Sequence, residues 1–242
     1  MFGISRSDAD FPSIIKRSRN VADGMSSGIA YLMKKNKIDV ISGFGKVKAG
    51  NKVNVTADGK ATDYSAKHII IATGARSREL PNLHQDGKKI IGYREALVLK
   101  KAPKRMVIVG SGAIGVEFAY FYNAMGVEVT IVEFLPNIVP VEDVDISKQL
   151  QRSFKKSGIK VMTNSSVEKV DTKGEGCKVF IKTKSGEEVI ECDVVLSAVG
   201  IVANIENIGL EEVGIKTDKG KILVDDYYKT NVEGYYAIGD VL

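Results

Sequence analysis

The chain has 242 residues, enough to bury a hydrophobic core as one large domain or two small ones. Its net charge of +5 is spread along the whole chain, which predicts a mild attraction for anionic ligands and argues against nucleic-acid binding. No segment has the apolar length of a membrane helix, and the N-terminus shows no secretory leader. We therefore expect a cytoplasmic protein that binds neither membranes nor nucleic acids.

The first predicted element is an amphipathic helix, because apolar residues recur at a helical period from Ile14 to Leu32. The helix is predicted to end at Asn36. Apolar residues then alternate over short runs, which predicts an antiparallel meander with strands at residues 39–44, 46–48, 52–56 and 62–66. A fully apolar strand at residues 68–72 leads into Gly74. Residues 74–88 are polar and irregular, and a short helix is predicted at residues 93–99.

Residues 104–133 carry the strongest pattern in the sequence. A short apolar strand at residues 106–109 leads directly into Gly110, Gly112 and Gly115, which have the G-x-G-x-x-G spacing of a dinucleotide-binding loop. In such a loop Gly110 would permit a tight turn and Gly112 would let the backbone approach a pyrophosphate. Gly115 would let the following helix pack close to the strand.

The residues after the glycines complete a βαβ unit. A helix is predicted at residues 113–125 and a strand at residues 127–132, which ends at Glu133, 23 residues beyond Gly110. Free N–H groups and the dipole at the helix N-terminus would hold the phosphates. Glu133 would accept hydrogen bonds from both hydroxyls of an adenine ribose and repel a 2′-phosphate, which favours NAD over NADP. The alternative is that Glu133 is an ordinary exposed acid at a strand end.

The second half of the chain repeats the plan of the first. A helix at residues 146–157 and a strand at residues 159–162 precede a second meander, with strands predicted at residues 167–170, 178–183 and 188–191. An apolar strand at residues 194–199 ends at Gly200, and short strands are predicted at residues 222–224 and 235–240. We therefore predict an α/β protein with two similarly built lobes, one inserted in the other.

The cysteines and histidines form no catalytic pattern. Cys177 and Cys192 are separated by 14 residues, which matches no redox or metal-binding spacing. We expect Cys192 to be a packed side chain beside a strand, and Cys177 to lie in a Gly-rich turn. His68 and His84 have no neighbouring residues placed to form a triad, so we expect structural or surface roles. The sequence therefore predicts no catalytic residue, no metal site and no redox pair.

Five segments keep a characteristic order along nearly the whole chain. They are IIIATGA at residues 69–75, VGSGAIGVE at 109–117, TIVEFLPNIVP at 130–140, LSAVG at 196–200 and TNVEGYYAIGDV at 230–241. In these segments the chain resembles the flavoprotein disulfide reductases, a pyridine nucleotide-disulfide oxidoreductase family, and within it the dihydrolipoamide dehydrogenase subfamily. The resemblance implies a Rossmann-like FAD/NAD(P)-binding fold in which each lobe has a β-meander. Residues 76–201 would form an NAD-binding domain, inserted in a partial FAD-binding domain made of residues 1–75 and 202–242.

The resemblance also assigns cofactor contacts. The NAD pyrophosphate would be wrapped by Gly110, Ser111, Gly112, Ala113, Ile114, Gly115, Val116 and Glu117. Glu117 would approach the nicotinamide end, where Gly200 would also lie, while Glu133 would hold the adenine ribose and Val167 would contact the adenine. On the other cofactor, Gly74 would meet FAD and Asp240 would bond its ribityl chain. Simpler alternatives are a helix-dipole role for Glu117, a helix cap at Asp240 and a core position for Val167.

The resemblance finally implies the activity of a longer enzyme. In that enzyme electrons pass from dihydrolipoamide through a disulfide and FAD to NAD⁺, within a homodimer that serves a 2-oxo acid dehydrogenase complex. The sequence contains neither the family's C-x-x-x-x-C pair, nor a first FAD glycine loop, nor the family's catalytic His and Glu. We therefore expect an interior portion that binds NAD but is inactive alone. Alternatives are part of a transhydrogenase, mercuric reductase or glutathione reductase, or a non-catalytic NAD-binding module.

Overall fold

A computed structural model describes residues 9–242 of the chain. These residues divide into two compact units. Unit 1 contains the described residues through Met25 together with Ser77–Gly200, and unit 2 contains Ser26–Arg76 together with Ile201–Leu242. Unit 2 is therefore assembled from two stretches of chain that are separated in sequence by the main stretch of unit 1.

Helices and short strands alternate along the described residues. The helices are α1 (Phe11–Lys35), α2 (Tyr93–Ala96), α3 (Ala113–Ala124), α4 (Val144–Lys156) and α5 (Leu210–Val213). The strands up to α3 are β1 (Phe44–Lys48), β2 (Lys52–Ala57), β3 (Lys60–Ser65), β4 (Ile69–Ile71), β5 (Ala75–Ser77), β6 (Ile90–Ile91) and β7 (Arg105–Val109). The next strands are β8 (Glu128–Val132), β9 (Lys160–Met162), β10 (Ser166–Asp171), β11 (Cys177–Thr183), β12 (Gly186–Cys192) and β13 (Val194–Ser197). The last are β14 (Ile201–Ala203), β15 (Thr217–Asp218), β16 (Lys221–Ile222) and β17 (Tyr235–Ala237).

Unit 1 is built on a parallel five-stranded sheet with the order β6-β13-β7-β8-β9. Successive residues of a strand point to opposite faces, so neighbouring apolar residues enter different cores. Ile108 and Ile131 pack on the face covered by α3 and α4, whereas Val107 and Val195 face the meander formed by β10, β11 and β12. Both faces of the sheet are therefore buried, which is why its strands are almost continuously apolar.

Unit 2 contains an antiparallel meander of β1, β2 and β3 and a parallel pair formed by β4 and β17. Its core gathers residues from both stretches of chain, including Val47, Ile71, Ile208 and Tyr235. The backbone also joins these stretches, since Val47 N donates to the Ile208 carbonyl over 2.8 Å. The two halves of unit 2 thus share one hydrophobic core.

Helix α1 begins and ends at positions that the local chemistry explains. The Asp10 carboxylate accepts a hydrogen bond from Ser13 N (3.1 Å), which caps the first turn, and the bonds from Ser13 lower the Asp10 pKa. At the other end Lys37 has φ +56°, and Ile38 N reaches back to the Met33 carbonyl (2.9 Å). Among residues 9–242, no helix combines the length and the apolar character that crossing a membrane requires.

Most predicted elements are confirmed, including both meanders and the βαβ unit, but three predictions are wrong. Of the strand predicted at residues 222–224, only Ile222 belongs to a strand, β16. The strand predicted at residues 39–44 does not form, since only Phe44 belongs to β1. The register of β1 begins at Phe44↔Thr56 and β2 ends one residue later, at Ala57, so residues 39–42 would run past the end of β2 and have no partner there. Cys177 does not lie in a turn, because it is the first residue of β11 and is buried.

Both histidines lie at the surface, as the sequence predicts. His68 packs edge-on against the Tyr236 ring with centroids 5.8 Å apart, and His84 Nδ1 contacts the Glu79 carboxylate over 2.6 Å. Neither contact places a nucleophile beside an imidazole. The structural or surface role expected for both residues is therefore confirmed.

Candidate dinucleotide-binding site

The glycine loop lies at the carboxyl edge of the parallel sheet in unit 1. Gly110 directly follows β7, and its N–H donates to the Val132 carbonyl at the end of β8 (2.9 Å). On the other side Ala198 N, just after β13, donates to the Val109 carbonyl (2.8 Å). The strand order reverses between β13 and β7, and open α/β sheets bind ligands in the crevice at such a reversal.

Each glycine of the motif meets a different spatial requirement. Gly110 has φ +96°, and a Cβ there would lie 2.4 Å from the Ala198 carbonyl oxygen. A Cβ on Gly115 would lie 2.2 Å from the Gly110 carbonyl oxygen, which confirms that this glycine lets α3 approach the end of β7. A Cβ on Gly112 would meet no atom within 4 Å. The side of the loop at Gly112 is thus open to a ligand.

The N-terminus of α3 offers unpaired donors beside this open side. The first intrahelical bond runs from Val116 N to the Gly112 carbonyl (3.1 Å), so the N–H groups of Ala113, Ile114 and Gly115 have no acceptor one turn earlier. The dipoles of this 12-residue helix add partial positive charge at the same end. The residues here suit an anionic group such as a pyrophosphate.

The Glu133 carboxylate closes the loop from the end of β8. It is only 7% exposed, and its Oε2 accepts hydrogen bonds from Ser111 N (2.8 Å) and Ser111 Oγ (2.6 Å). Its Oε1 accepts a third bond, from Leu135 N (2.8 Å). An ionised carboxylate has about four acceptor positions, so roughly one remains on Oε1. Two ribose hydroxyls could bind together only if one of these internal bonds were released.

Ser111 uses all its polar atoms within the protein. Besides its two bonds to Glu133, its carbonyl accepts a bond from Val139 N (2.9 Å), and the residue is fully buried. Its N–H is therefore not a free donor for a phosphate. Val139 has φ +40°, which is strained for a β-branched residue, and such strain is often found at functional sites. A valine before Pro140 predicts extended backbone, so sequence reasoning missed this contact.

The other residues predicted on the NAD side lie in unit 1 but do not form one cluster. Val167, at the second position of β10, is 7% exposed and follows shortly after Ser165, whose N–H donates to the Glu133 carbonyl (2.9 Å). Gly200 is exposed and has φ +106°, just beyond the loop that follows β13. Glu117 is on the exposed side of α3, where it borders a mostly apolar groove of about 240 Å³. Val167 and Glu133 thus lie near the side of the sheet formed by β8 and β9. Gly200 follows β13 and lies toward the opposite side.

The two residues predicted on the FAD side lie in unit 2. Gly74 follows β4 and Asp240 follows β17, and these strands are parallel neighbours with Ile71 opposite Ala237. Both residues therefore emerge at the carboxyl edge of the same strand pair. Gly74 has φ +68°, and Asp240 is exposed. Exposed groups at this edge are placed where open α/β sheets bind ligands.

Comparison with known proteins identifies the class to which this fold and site belong. The sequence matches the pyridine nucleotide-disulphide oxidoreductase family over residues 4–242. The chain therefore belongs to this family, and its architecture is the Rossmann-like α/β fold of flavoprotein disulfide reductases.

Two curated proteins named dihydrolipoyl dehydrogenase are similar to almost the whole chain. The protein of Zymomonas mobilis is 46% identical over 236 residues, which cover 97% of this chain and 51% of that protein. The protein of Rhizobium etli is 44% identical over 248 residues, which cover 96% of this chain and 52% of that protein. The chain thus spans about half the length of the curated relatives it matches.

Solved structures agree with this assignment. LpdA from Mycobacterium tuberculosis aligns with a TM-score of 0.89 at 30% identity, covering 98% of this chain and 53% of LpdA. The HOCl-induced flavoprotein disulfide reductase RclA from Escherichia coli aligns with a TM-score of 0.83 at 26% identity, covering 96% of this chain and 53% of RclA. The fold is therefore shared with both of these solved structures.

Proposed function

We propose that unit 1 binds NAD⁺ and NADH, and that the chain supplies the NAD-binding region of a dihydrolipoyl dehydrogenase. The observation that carries the proposal is the Glu133 carboxylate, fixed by three hydrogen bonds at the end of β8 beside the glycine loop. The names of the two curated relatives support the choice of enzyme.

The pyrophosphate would lie against the N-terminus of α3. Ala113, Ile114 and Gly115 would donate their free N–H groups, and the open side of Gly112 would let the phosphates approach the backbone. The side chain of Ser111 would take no direct part, because it is buried against Glu133. It would instead hold the carboxylate that selects the nucleotide.

Glu133 would select NAD over NADP. Its remaining acceptor position on Oε1 would bind one ribose hydroxyl, and a second hydroxyl would compete with Ser111 Oγ for Oε2. A 2′-phosphate brings a charge of about −2 next to this buried carboxylate, where repulsion is weakly screened. The enzyme would therefore discriminate by charge as well as by hydrogen bonding.

The remaining assignments complete the nucleotide. Val167 would contact the adenine, while Gly200 and Glu117 would lie near the nicotinamide. Bound NAD⁺ would supply the hydride-accepting ring, and the chain's own residues would hold and orient it. In unit 2, Gly74 and Asp240 would contact FAD at the carboxyl edge of β4 and β17.

The full reaction would require a longer enzyme. For that enzyme we propose electron transfer from dihydrolipoamide to NAD⁺, a homodimeric assembly and association with a 2-oxo acid dehydrogenase complex. This chain would supply its NAD-binding domain, residues 76–201. A cytoplasmic location is a further proposal, which fractionation of cells that make the protein would test.

Calorimetry with NAD⁺ and NADP⁺ tests the nucleotide assignment. The native chain should bind NAD⁺ more tightly than NADP⁺. Glu133→Gln should lower NAD⁺ affinity roughly tenfold, because a charged acceptor hydrogen bond contributes about 1.5–3 kcal/mol. It should also reduce the ratio of NAD⁺ affinity to NADP⁺ affinity, because the repelling charge is gone. Glu133→Arg should reverse the preference, provided that circular dichroism shows a folded protein. The Gln variant retains an acceptor oxygen for Ser111, so it tests selectivity with less disturbance of the loop.

Glu128→Gln is the matched control, since Glu128 begins the same strand and is exposed at its opposite end. This substitution removes the same charge and should leave both affinities unchanged. If the native chain binds neither nucleotide, the site assignment is wrong. A preference for NADP⁺ would favour another member of the family, and a colourless protein that binds NAD⁺ would favour a non-catalytic NAD-binding module.

A further inference from the structure

The two cysteines of the chain lie directly opposite each other on neighbouring strands. Strands β11 and β12 are antiparallel, and their register pairs Cys177 with Cys192. Both are free thiols and each is only 2% exposed, in the core that also contains Val179 and Ile181. Their side chains therefore share one face of the meander, although the 14 residues between them gave no sequence signal.

This pairing suits a disulfide bond. Directly opposite residues in antiparallel strands have Cα atoms about 4.5–5.5 Å apart, and a disulfide usually spans a Cα–Cα distance of about 4.4–6.8 Å. Their Cβ atoms are about 4.5–5.5 Å apart, whereas a disulfide prefers about 3.5–4.5 Å. The bond could therefore form with a small local approach, and the resulting strain would make it easy to reduce.

The backbone around the pair holds the two strands close together. A Cβ on Gly176, the residue before Cys177, would lie 2.6 Å from the Cys192 carbonyl oxygen. Lys89 Nζ donates to the carbonyl oxygens of Thr172 (2.7 Å) and Gly176 (3.4 Å), which fixes the turn that leads into Cys177. The close approach at this end of the meander thus depends on a glycine and an anchored turn.

The two thiols interact and are not equivalent. The neighbouring Cys192 thiol, aided by the nearby Lys89 ammonium, lowers the pKa of the Cys177 thiol although burial opposes the shift. The neighbouring Cys177 thiol and burial raise the pKa of Cys192. Because a thiolate is the nucleophile in thiol oxidation, Cys177 would react first.

We propose that Cys177 and Cys192 form a redox-active pair, which a peroxide converts into a reversible cross-strand disulfide. The Cys177 sulfur attacks one oxygen of hydrogen peroxide, the O–O bond breaks, and water leaves with the thiol proton to give a sulfenic acid. The Cys192 sulfur then attacks the Cys177 sulfur, and its proton leaves with the hydroxyl as a second water. Two thiols are oxidised and one peroxide is reduced to two waters. The pair is distinct from the C-x-x-x-x-C pattern of the family.

Access to the pair would depend on a local opening. Residues 173–175, which precede the Gly176–Cys177 step, are exposed, whereas the thiols are buried. A peroxide would reach Cys177 when this turn opens, so the reaction should be slower than that of an exposed thiol.

The test treats the purified 242-residue chain with hydrogen peroxide under native conditions and follows its intact mass. The mass should fall by about 2 Da as two hydrogens are lost, and dithiothreitol should restore it. Trypsin digestion without reduction should release residues 174–178 linked to residues 185–216. The midpoint of thermal unfolding should rise by roughly 5 °C on oxidation and return on reduction.

Cys177→Ser and Cys192→Ser serve as matched controls, because each should abolish the linked peptide and the reversible mass loss. A sample of the native sequence unfolded in urea checks that the oxidant reacts with these thiols. If the folded chain keeps both thiols reduced while the unfolded sample reacts, the proposal is wrong. It is equally wrong if the folded chain gains oxygen at a single cysteine and no linked peptide forms. None of the three readouts, the intact mass, the linked peptide and the thermal midpoint, depends on nucleotide binding.

Discussion

Gly112 and Gly115 belong to the same motif, but the space around them differs completely. A Cβ on Gly112 meets nothing within 4 Å, and its φ of −65° suits any residue. A Cβ on Gly115 would lie 2.2 Å from a backbone oxygen of Gly110. One glycine therefore leaves room for a ligand, and the other leaves room for the protein itself.

Alanine substitutions should separate these two roles. Gly112→Ala should change the free energy of unfolding by less than about 0.5 kcal/mol, yet lower NAD⁺ affinity at least tenfold because the methyl group enters the space for the pyrophosphate. Gly115→Ala should destabilise the protein by about 2–4 kcal/mol, since α3 must move away from the loop. Urea unfolding and calorimetry measure the two effects. Equal losses of stability in both variants would contradict this assignment.

At the scale of elements, a buried tyrosine joins α3 to α2. Tyr122 is fully buried, and its hydroxyl donates to the Ala96 carbonyl at the end of α2 over 2.6 Å. Burial raises the pKa of Tyr122 to about 12, because the phenolate would lose its hydration. Tyr120, two residues earlier on the same helix, is 65% exposed and provides a natural control.

The Tyr122 contact should make stability fall at high pH. Below pH 10 the phenol is protonated in both the folded and the unfolded chain, so its contribution is fully present. Between about pH 10 and 12 only the unfolded chain ionises at this position, so the free energy of unfolding decreases by about 2–3 kcal/mol. Unfolding measured from pH 8 to 12 in the native chain should show this extra loss.

Tyr122→Phe should remove that loss and lower stability at neutral pH by about 1–2 kcal/mol, because the Ala96 carbonyl is left without its partner. In Tyr120→Phe the free energy of unfolding should fall between neutral and alkaline pH by the same amount as in the native chain. Matching pH profiles for the native chain and Tyr122→Phe would show that the buried hydroxyl does not titrate as described.

At the scale of the whole molecule, the 242 residues contain the proposed nucleotide site but no C-x-x-x-x-C pair of the family's redox type. The two cysteines are buried on one meander, and the contacts found for the histidines within residues 9–242 are with Glu79 and Tyr236, neither of them a nucleophile of the family's catalytic type. The chain should therefore bind NAD⁺ without producing NADH from dihydrolipoamide. Absorbance at the NADH band, with a complete dihydrolipoyl dehydrogenase as the positive control, measures this. Lipoamide-dependent NADH production by the purified chain would overturn the prediction.

The sequence by itself determined the features that depend on near neighbours. The glycine spacing predicted the turn after β7, the approach of α3 and the position of Glu133 at the end of β8, because strand, turn and helix patterns are short-range. It predicted both meanders for the same reason. It failed at residues 39–42, where alternation is present but β2 has already ended, so no partner strand is available there. Whether a strand forms depends on its partner as well as on its own residues.

Only the tertiary structure decided which distant residues meet. Ser111 binds Glu133 22 residues away and Val139 beyond it, so its N–H, hydroxyl and carbonyl are all engaged within the protein. Cys177 and Cys192 are opposite each other only because the turn between β11 and β12 sets their register. Residue types and spacing predicted a place for the nucleotide. Hydrogen bonds and strand pairing across the fold determined which donors stay free and brought the two thiols together.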